Sequence, residues 1–129
     1  MVVRTWRGYA VAAESQAYPR HLLQSVRPKL ERLAGFRGLY LLRRRGLEEI
    51  EFLVLTLWDS MDAVHAFAGD QPERAVVEPE ARAALVRFDD TVSHYEVLAE
   101  PEVAGLAGWR SSQGVGPRLQ PRGVERQDP

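Results

Sequence analysis

The segment EFLVLTLW, residues 51–58, decides the fold because it is apolar on both sides. Alternate side chains of an extended strand point to opposite faces of its sheet. One face consists of Leu53, Leu55 and Leu57, and the other of Phe52, Val54, Thr56 and Trp58. A sheet with one wet face should alternate apolar with polar residues, and this strand does not. We therefore expect both faces to be covered, one by helices of the same chain and the other by a second subunit.

The flanking sequence predicts the order β-α-β-β-α-β around this strand. An apolar stripe at helical spacing predicts a helix from an N-cap at Ser15 to about Ala34, kinked at Pro28 and ended by Gly35 in the left-handed conformation. The other predicted elements are strands at Val2–Ala10, Phe36–Arg44 and Thr91–Leu98, a short helix capped by Asp59 or Ser60 and stopped by Gly69, a loop at Gln71–Glu78, and a helical stretch that begins at Pro79. This order predicts an α+β, ferredoxin-like fold, an antiparallel sheet with its helices on one face.

The composition is that of a single folded domain and excludes several classes of function. The chain has 129 residues and a formal net charge of −1, which gives no general field for binding nucleic acid or an acidic membrane. It has no cysteine, so disulfides, thiolate metal sites and cysteine nucleophiles are excluded. No apolar run approaches the roughly 20 residues of a spanning helix, and the N-terminus has no signal-peptide pattern. We predict a cytoplasmic protein with neither nucleic acid nor membrane as a partner.

Glycine and proline divide the chain into a domain and a tail. They make up 9 of residues 1–98 and 9 of residues 99–129, so their density in the second stretch is about three times higher. This stretch has neither helical nor strand periodicity, and we predict that it is an extended tail that follows the domain. Around Leu106–Trp109 we expect the tail to pack on a subunit surface, because a tail without a docking role would rarely keep a tryptophan exposed.

Three stretches of the domain carry a resemblance to a known family. The run LTLWDSMDAVHAFAG (residues 55–69), WRG near the start (residues 6–8) and FDDTVSHYEVL at the end (residues 88–98) resemble the antibiotic biosynthesis monooxygenase domain family. The resemblance covers residues 1–98. It implies small ferredoxin-like chains that dimerise into an α/β barrel. Quinone-forming monooxygenases, haem-degrading enzymes and many members of unknown activity belong to this family.

The resemblance also says which chemistry to expect and which to doubt. Trp58 matches the tryptophan at the end of the third strand, which lines the cavity in both enzymatic branches. The haem-degrading branch uses an asparagine on the first strand, where this chain has Trp6, and no asparagine occurs anywhere in the chain. That branch also binds haem iron through a histidine after the short second helix, where Val76–Glu80 contains none. We therefore expect no haem degradation, and no cofactor.

Strand alternation predicts one candidate site. If the all-leucine face packs on the helices, the opposite face gathers aromatic side chains with a few polar groups, which is typical of a small-molecule pocket. The predicted substrate-binding residues are Arg4, Trp6, Tyr40, Phe52, Thr56 and Glu96, and the predicted catalytic residues are His94 and Trp58. The same parity points Tyr95 and Val97 to the helices. The open alternative is that this face only builds the dimer interface, with Arg4 and Glu96 as an ion pair.

Histidine is the natural candidate for a general base, because it titrates near neutral pH. We select His94 on the last strand and expect His21 and His65 to face solvent from helices. No metal site is predicted, because Asp90, His94 and Glu96 lie close in sequence without a second histidine or any cysteine.

Two functions remain open on the sequence alone. The first is a homodimeric, cofactor-independent monooxygenase-like protein that acts on a small aromatic substrate, such as a phenol or anthrone, in an apolar cavity. The second is a dimeric protein of the same fold that binds a small molecule, or another partner, without turnover. A cavity that touches His94 would favour the first, and a face filled by Trp6, Tyr40 and Trp58 would favour the second.

Overall fold

The computed structural model describes residues 1–101, of which Met1–Val97 form one compact unit. Apart from residues 99–101, the predicted tail with Leu106–Trp109 lies outside the described residues. Within the described part, five strands form one sheet in the order β2-β3-β1-β4, and β5 also pairs with β1. The strands are β1 (Val2–Val11), β2 (Phe36–Arg45), β3 (Glu49–Trp58), β4 (Arg87–Phe88) and β5 (Ser93–Glu96). All the pairings are antiparallel, which confirms the predicted ferredoxin-like arrangement.

The long helix predicted between the first two strands is divided into three segments. They are α1 (Ala17–His21), a π-helical turn (Leu22–Val26) and α2 (Arg27–Leu30). Pro28 has no N–H to donate to the carbonyl of Gln24, so the regular ladder cannot continue through this point. The π-helical turn ends with the Arg27 N–H donating to the Leu22 carbonyl, five residues earlier, which is the wider spacing of a π-helix. Gly35 follows with φ +86°, the predicted left-handed conformation.

The later helices begin and end close to where the sequence predicts. α3 (Met61–Ala68) is capped by Ser60, whose Oγ accepts a hydrogen bond from the Ala63 N–H at 3.3 Å. Gly69 ends it with φ +86°. α4 (Pro79–Ala84) begins at its proline, as expected. The last strand is shorter than the predicted Thr91–Leu98. Among residues 1–101, no helix is long and apolar enough to cross a membrane.

The helices cover the opposite face of the sheet from the one we expected. Phe52, Val54 and Trp58 of β3 are buried, whereas Leu53, Leu55 and Leu57 are only half-buried. Two clusters form the core between sheet and helices, one around Phe52 and Tyr18 and the other around Trp58 and Val64. The prediction that the all-leucine face packs on the helices is therefore wrong. Placing the larger aromatic side chains on the helix side buries more apolar area per residue.

A bulge in β2 determines which of its side chains share this inner face. Phe36 pairs with Trp58, but the register shifts between Phe36 and Gly38, so that Tyr40 pairs with Leu55. Gly38 has φ +140°, a conformation that favours glycine. A bulge adds one residue and so reverses the alternation of faces beyond it. Leu39 and Leu41 consequently pack against the core, and Tyr40 lies on the outer face.

Candidate functional site

A partly open cavity of about 210 Å³ lies between the sheet and the helices. Its walls are mainly apolar and come from β1, β3, all four α-helices and the π-helical turn, and the segment before α4. Polar groups enter it from both sides: Arg4 and Thr56 from the sheet, and His21, Lys29 and Glu78 from the helical side. This mixture of apolar walls and a few convergent polar groups is typical of small-molecule sites. The cavity therefore exists on the face that carries Arg4 and Trp6, but under the helices instead of between two sheets.

Arg4 places a guanidinium in the wall of this cavity and is 6% exposed. Its Nη1 donates to the Pro72 carbonyl and to His94 Nε2 at 2.9 Å, and its Nη2 donates to the Arg74 carbonyl at 3.0 Å. The guanidinium also lies 5.6 Å from the centre of the Phe67 ring. Burial lowers the pKa of Arg4 to about 10, so the side chain is still charged at neutral pH.

His94 contacts Arg4 and does not itself line the cavity. A guanidinium has no acceptor, so His94 Nε2 must be the acceptor and its proton must lie on Nδ1. Burial, followed by the charge of Arg4, lowers the pKa of His94 and keeps the ring neutral. His94 shares the face of Arg4, as the sequence predicts, and strand register places the two residues directly opposite each other. The acceptor nitrogen of His94 is already engaged by Arg4.

Two other predicted residues also reach the cavity wall. Trp6 lines it, and its indole Nε1 donates to the Asp89 carbonyl at 2.7 Å, which fixes the ring in the wall. Thr56 lines it from β3, and its Oγ1 accepts a hydrogen bond from Trp58 Nε1 at 2.9 Å. The sequence therefore identifies three lining residues, Arg4, Trp6 and Thr56.

The remaining predicted residues lie elsewhere in the fold. Trp58 is 0% exposed and packs between the rings of Phe36 and Phe67, at 5.3 and 5.2 Å between ring centres. Phe52 is fully buried in the core and does not line the cavity. Tyr40, which is 55% exposed, was expected beside Arg4 but lies on the outer face because of the β2 bulge. Tyr95 also does not point to the helices as predicted, since it pairs with Val3 and is exposed, and Val97 lies beyond the end of β5.

Glu96 shares the inner face but forms no ion pair with Arg4 among the described residues. It pairs in register with Val2, two positions away from Arg4, and its side chain is exposed. The described acceptors of Arg4 are all neutral. The alternative prediction of an Arg4–Glu96 ion pair is therefore wrong.

Sequence reasoning missed the polar groups on the helical side of the cavity. The side chain of His21 is only 9% exposed, so the prediction that it faces solvent is wrong. Its Nε2 is buried without a hydrogen-bond partner of good geometry in the described residues, and Glu78 Oε1 lies 3.5 Å away. Lys29 Nζ lies 3.1 Å from Glu78 Oε2. The signal was present, because His21 follows Tyr18 by three positions and so falls on the buried stripe of the helix.

Sequence comparison gives no match, and structural comparison gives several. No protein-family model matches the sequence, and no curated protein matches it. The fold is similar to that of an antibiotic biosynthesis monooxygenase-like protein of Bacillus cereus, with a TM-score of 0.52 and 16% identity over 79% of this chain and 97% of that one. It is also similar to the haem degrader MhuD of Mycobacterium tuberculosis, solved with two haems in its active site, with a TM-score of 0.52 and 23% identity over 79% of this chain and all of that one. This chain has the antibiotic biosynthesis monooxygenase-like fold.

The fold is also similar to that of an antibiotic biosynthesis monooxygenase-like protein of Deinococcus radiodurans, with a TM-score of 0.50 and 19% identity over 80% of this chain and 98% of that protein. The resemblance seen in the sequence is thus confirmed at the level of the fold. Function has to come from the side chains in the cavity, because one fold hosts many activities.

The cavity of this monooxygenase-like fold offers a proton acceptor on one side and a cation on the other. His21 and Glu78 can exchange a proton with a bound molecule, and Arg4 can stabilise a negative charge. His21, Glu78 and Glu80 also have ligand atoms within 4.8 Å of one another, the separation that a metal site requires. Lys29 forms an ion pair with Glu78, so the position of Glu78 in this group of side chains is explained without a metal ion.

Proposed function

We propose that this chain is a cofactor-independent monooxygenase-like protein that acts on a small phenol- or anthrone-like substrate. The observation that carries the proposal is the cavity itself, with apolar and aromatic walls and polar groups confined to opposite sides. Its volume of about 210 Å³ lies below the ~300–1,000 Å³ typical of sites for drug-sized ligands. A compact aromatic molecule suits this space and these walls.

The chemistry proposed balances without a cofactor. An anthrone-type methylene and one molecule of oxygen give a ketone and one molecule of water. One oxygen atom enters the new carbonyl group, and the other leaves as water with the two methylene hydrogens. The substrate supplies all the electrons, provided that it first loses a proton to become electron-rich. The protein must therefore bind the substrate, take that proton and stabilise the resulting anion.

His21 is the base that the geometry favours. It lines the cavity, and its Nε2 is buried without a good hydrogen bond among the described residues. Glu78, 3.5 Å away, would stabilise the imidazolium formed when Nε2 takes the proton. His94 has a different part in this proposal, because its Nε2 holds the guanidinium of Arg4. We propose that His94 positions Arg4, while Trp58 supports the wall through Thr56.

The size of this cavity does not fit a haem. A volume of about 210 Å³ is small for a tetrapyrrole, and the histidine that lines the cavity, His21, lies outside the segment from Asp70 to Glu80, which contains none. The haems reported for MhuD belong to that protein, and no step is proposed here through such a group.

We also propose that a second copy of this chain covers the outer face of the sheet. This face carries an apolar group of side chains, of which Tyr40 and Tyr95 are 55% and 59% exposed; the others are Val3, Leu42, Leu53, Leu55 and Leu57. Charged residues border it, since Glu51 accepts hydrogen bonds from Arg7 at 3.1 Å and Arg44 at 2.7 Å. An apolar centre with a charged border is typical of protein interfaces. A two-fold pairing of sheets would bury this face in a homodimer.

Oxygen consumption tests the enzymatic proposal. The purified protein, screened against anthrones and reduced polyphenols, should consume one oxygen per substrate and release a quinone. His21→Gln keeps the size and polarity of the side chain but cannot accept the proton, so we expect the turnover rate to fall about 10²-fold or more. His65→Gln changes an exposed histidine on α3 and should leave the rate unchanged. Binding without oxygen uptake across the screen would refute the enzymatic proposal and favour a non-catalytic binding protein.

A further inference from the structure

Arg4 is a buried cation that has no carboxylate partner within residues 1–101. Among the described residues no carboxylate lies within ion-pair distance of its guanidinium, and its acceptors are two carbonyl oxygens and one neutral imidazole. A buried charge is costly unless it is paired, so an arginine in such a position usually has a carboxylate or phosphate partner. The neutral acceptors orient the guanidinium but leave its charge uncompensated.

The guanidinium retains hydrogen-bonding capacity. Both N–H groups of Nη1 are engaged, by Pro72 and His94, and Nη2 uses one of its two for the Arg74 carbonyl. The second N–H of Nη2 and the Nε–H have no acceptor in the described part of the chain. The planar guanidinium therefore keeps two N–H donors, and an Nε–H beside an N–H of Nη2 is the arrangement in which arginine can bind two oxygens side by side.

The cavity does not supply the missing charge from its own wall. Glu78 is the carboxylate that lines it in the described residues, and Lys29 Nζ already lies 3.1 Å from Glu78 Oε2. Thr56, the cross-strand partner of Arg4, adds a neutral hydroxyl to the cavity wall. Trp6 and Val92 are also in the wall, and the Phe67 ring centre lies 5.6 Å from the guanidinium carbon of Arg4. An oxygen anion attached to an apolar ring would match both the charge and the walls.

We propose that Arg4 is the anchor for an aromatic anion, whose carboxylate or phenolate oxygens accept the Nε–H and the free N–H of Nη2. This inference deepens the proposed function, since it rests on the cavity as a site for small aromatic molecules. It specifies that the ligand is held in its ionised form. In the proposed reaction the same contact would stabilise the substrate anion left after proton removal.

A pair of ligands with the same shape tests the anchor. We would titrate the full-length protein by calorimetry with benzoate and with benzamide, which differ in the charge of one group. The wild-type protein should bind benzoate roughly tenfold to a hundredfold more tightly, the usual value of hydrogen bonds to a charged group. Arg4→Met should abolish this preference, while Arg87→Met, which removes an exposed arginine paired with Glu49, should keep it.

Arg4→Lys provides a second variant in case Arg4→Met fails to fold. Lysine retains the positive charge but lacks the paired N–H donors with which arginine binds two oxygens, so we expect a reduced preference for benzoate. Equal binding of the two ligands to the wild-type protein would overturn the anchor. A full preference for benzoate in folded Arg4→Met protein would overturn it as well.

A chromogenic phenol distinguishes the two anionic groups. Bound 4-nitrophenol should absorb as the phenolate at a pH where the free molecule is largely neutral, and Arg4→Met should remove this difference. A phenolate signal identifies an ionised phenol as a ligand, whereas tight benzoate binding without that signal restricts the anchor to carboxylates. Both measurements omit turnover. A protein that binds these anions but consumes no oxygen would therefore refute the enzymatic proposal and leave the anchor in place.

Discussion

Replacing Trp58 by alanine tests whether this residue belongs to the core or to the ligand site. The side chain is 0% exposed and packs between Phe36 and Phe67, with ring centres 5.3 and 5.2 Å away. Truncation of a buried tryptophan usually costs about 3–5 kcal/mol. The loss of two aromatic contacts, each typically ~0.5–1.5 kcal/mol, places this site at the upper end of that range. Small domains have about 5–15 kcal/mol in total, so Trp58→Ala should be close to unfolding.

Urea denaturation at a fixed protein concentration measures this cost, because association would otherwise shift the apparent stability. Trp58→Phe is the matched control. It retains a ring beside Phe67 and loses the hydrogen bond from Nε1 to Thr56, so we expect a smaller cost of about 1–2 kcal/mol. A loss below about 1 kcal/mol for Trp58→Ala, combined with weaker ligand binding, would refute the reasoning and return Trp58 to the ligand site.

Three further predictions concern charge, backbone and association. Folding lowers the pKa of His94 from its ordinary value of 6.5, so the contribution of this residue to stability should be complete above pH 6.5 and decrease as the pH falls below 6.5. In urea titrations at several pH values, His94→Gln should reduce this loss of stability at low pH, and a wild-type stability that does not change with pH would contradict the prediction. Gly35→Ala should lower the free energy of unfolding by about 2 kcal/mol or more, because the residue has φ +86° and the new Cβ would lie 2.5 Å from the Ala63 Cβ. An unchanged melting temperature would contradict this prediction. Leu55→Arg, in the middle of the outer sheet face, should convert the proposed dimer to a monomer in sedimentation at micromolar concentration, whereas a wild-type monomer would show that no such dimer forms.

Local signals allowed the order and ends of the elements to be predicted. Ser60 caps α3 through its own side chain, Gly69 ends α3 with a positive φ, and Gly35 has a positive φ in the turn before β2. These effects depend on a residue and its immediate neighbours, so the sequence contains them in full. The same holds for the break in the helix at Pro28, although the proline alone does not specify a π-helical turn.

The faces of the sheet could not be assigned in this way. Alternation divides β3 into two apolar sets, but it does not say which set the helices cover. The β2 bulge then reverses the alternation between Phe36 and Tyr40, and a single glycine at position 38 is a weak signal for it. Arg4, Trp6 and Thr56 were nevertheless grouped correctly, because β1 and β3 pair without interruption. His21 was assigned to solvent because a polar residue on a helix usually faces water.

Oxygen uptake with and without a blocked cavity is the most direct test of the proposed site. Val76 lines the cavity but is exposed, so Val76→Trp should obstruct the opening with little effect on the core. The wild-type protein should consume oxygen with an anthrone substrate, and Val76→Trp should reduce kcat/KM by about tenfold or more while the melting temperature is retained. Equal rates for the two proteins, or no uptake by the wild-type protein, would contradict the assignment of this cavity as the site of an oxygen-dependent reaction.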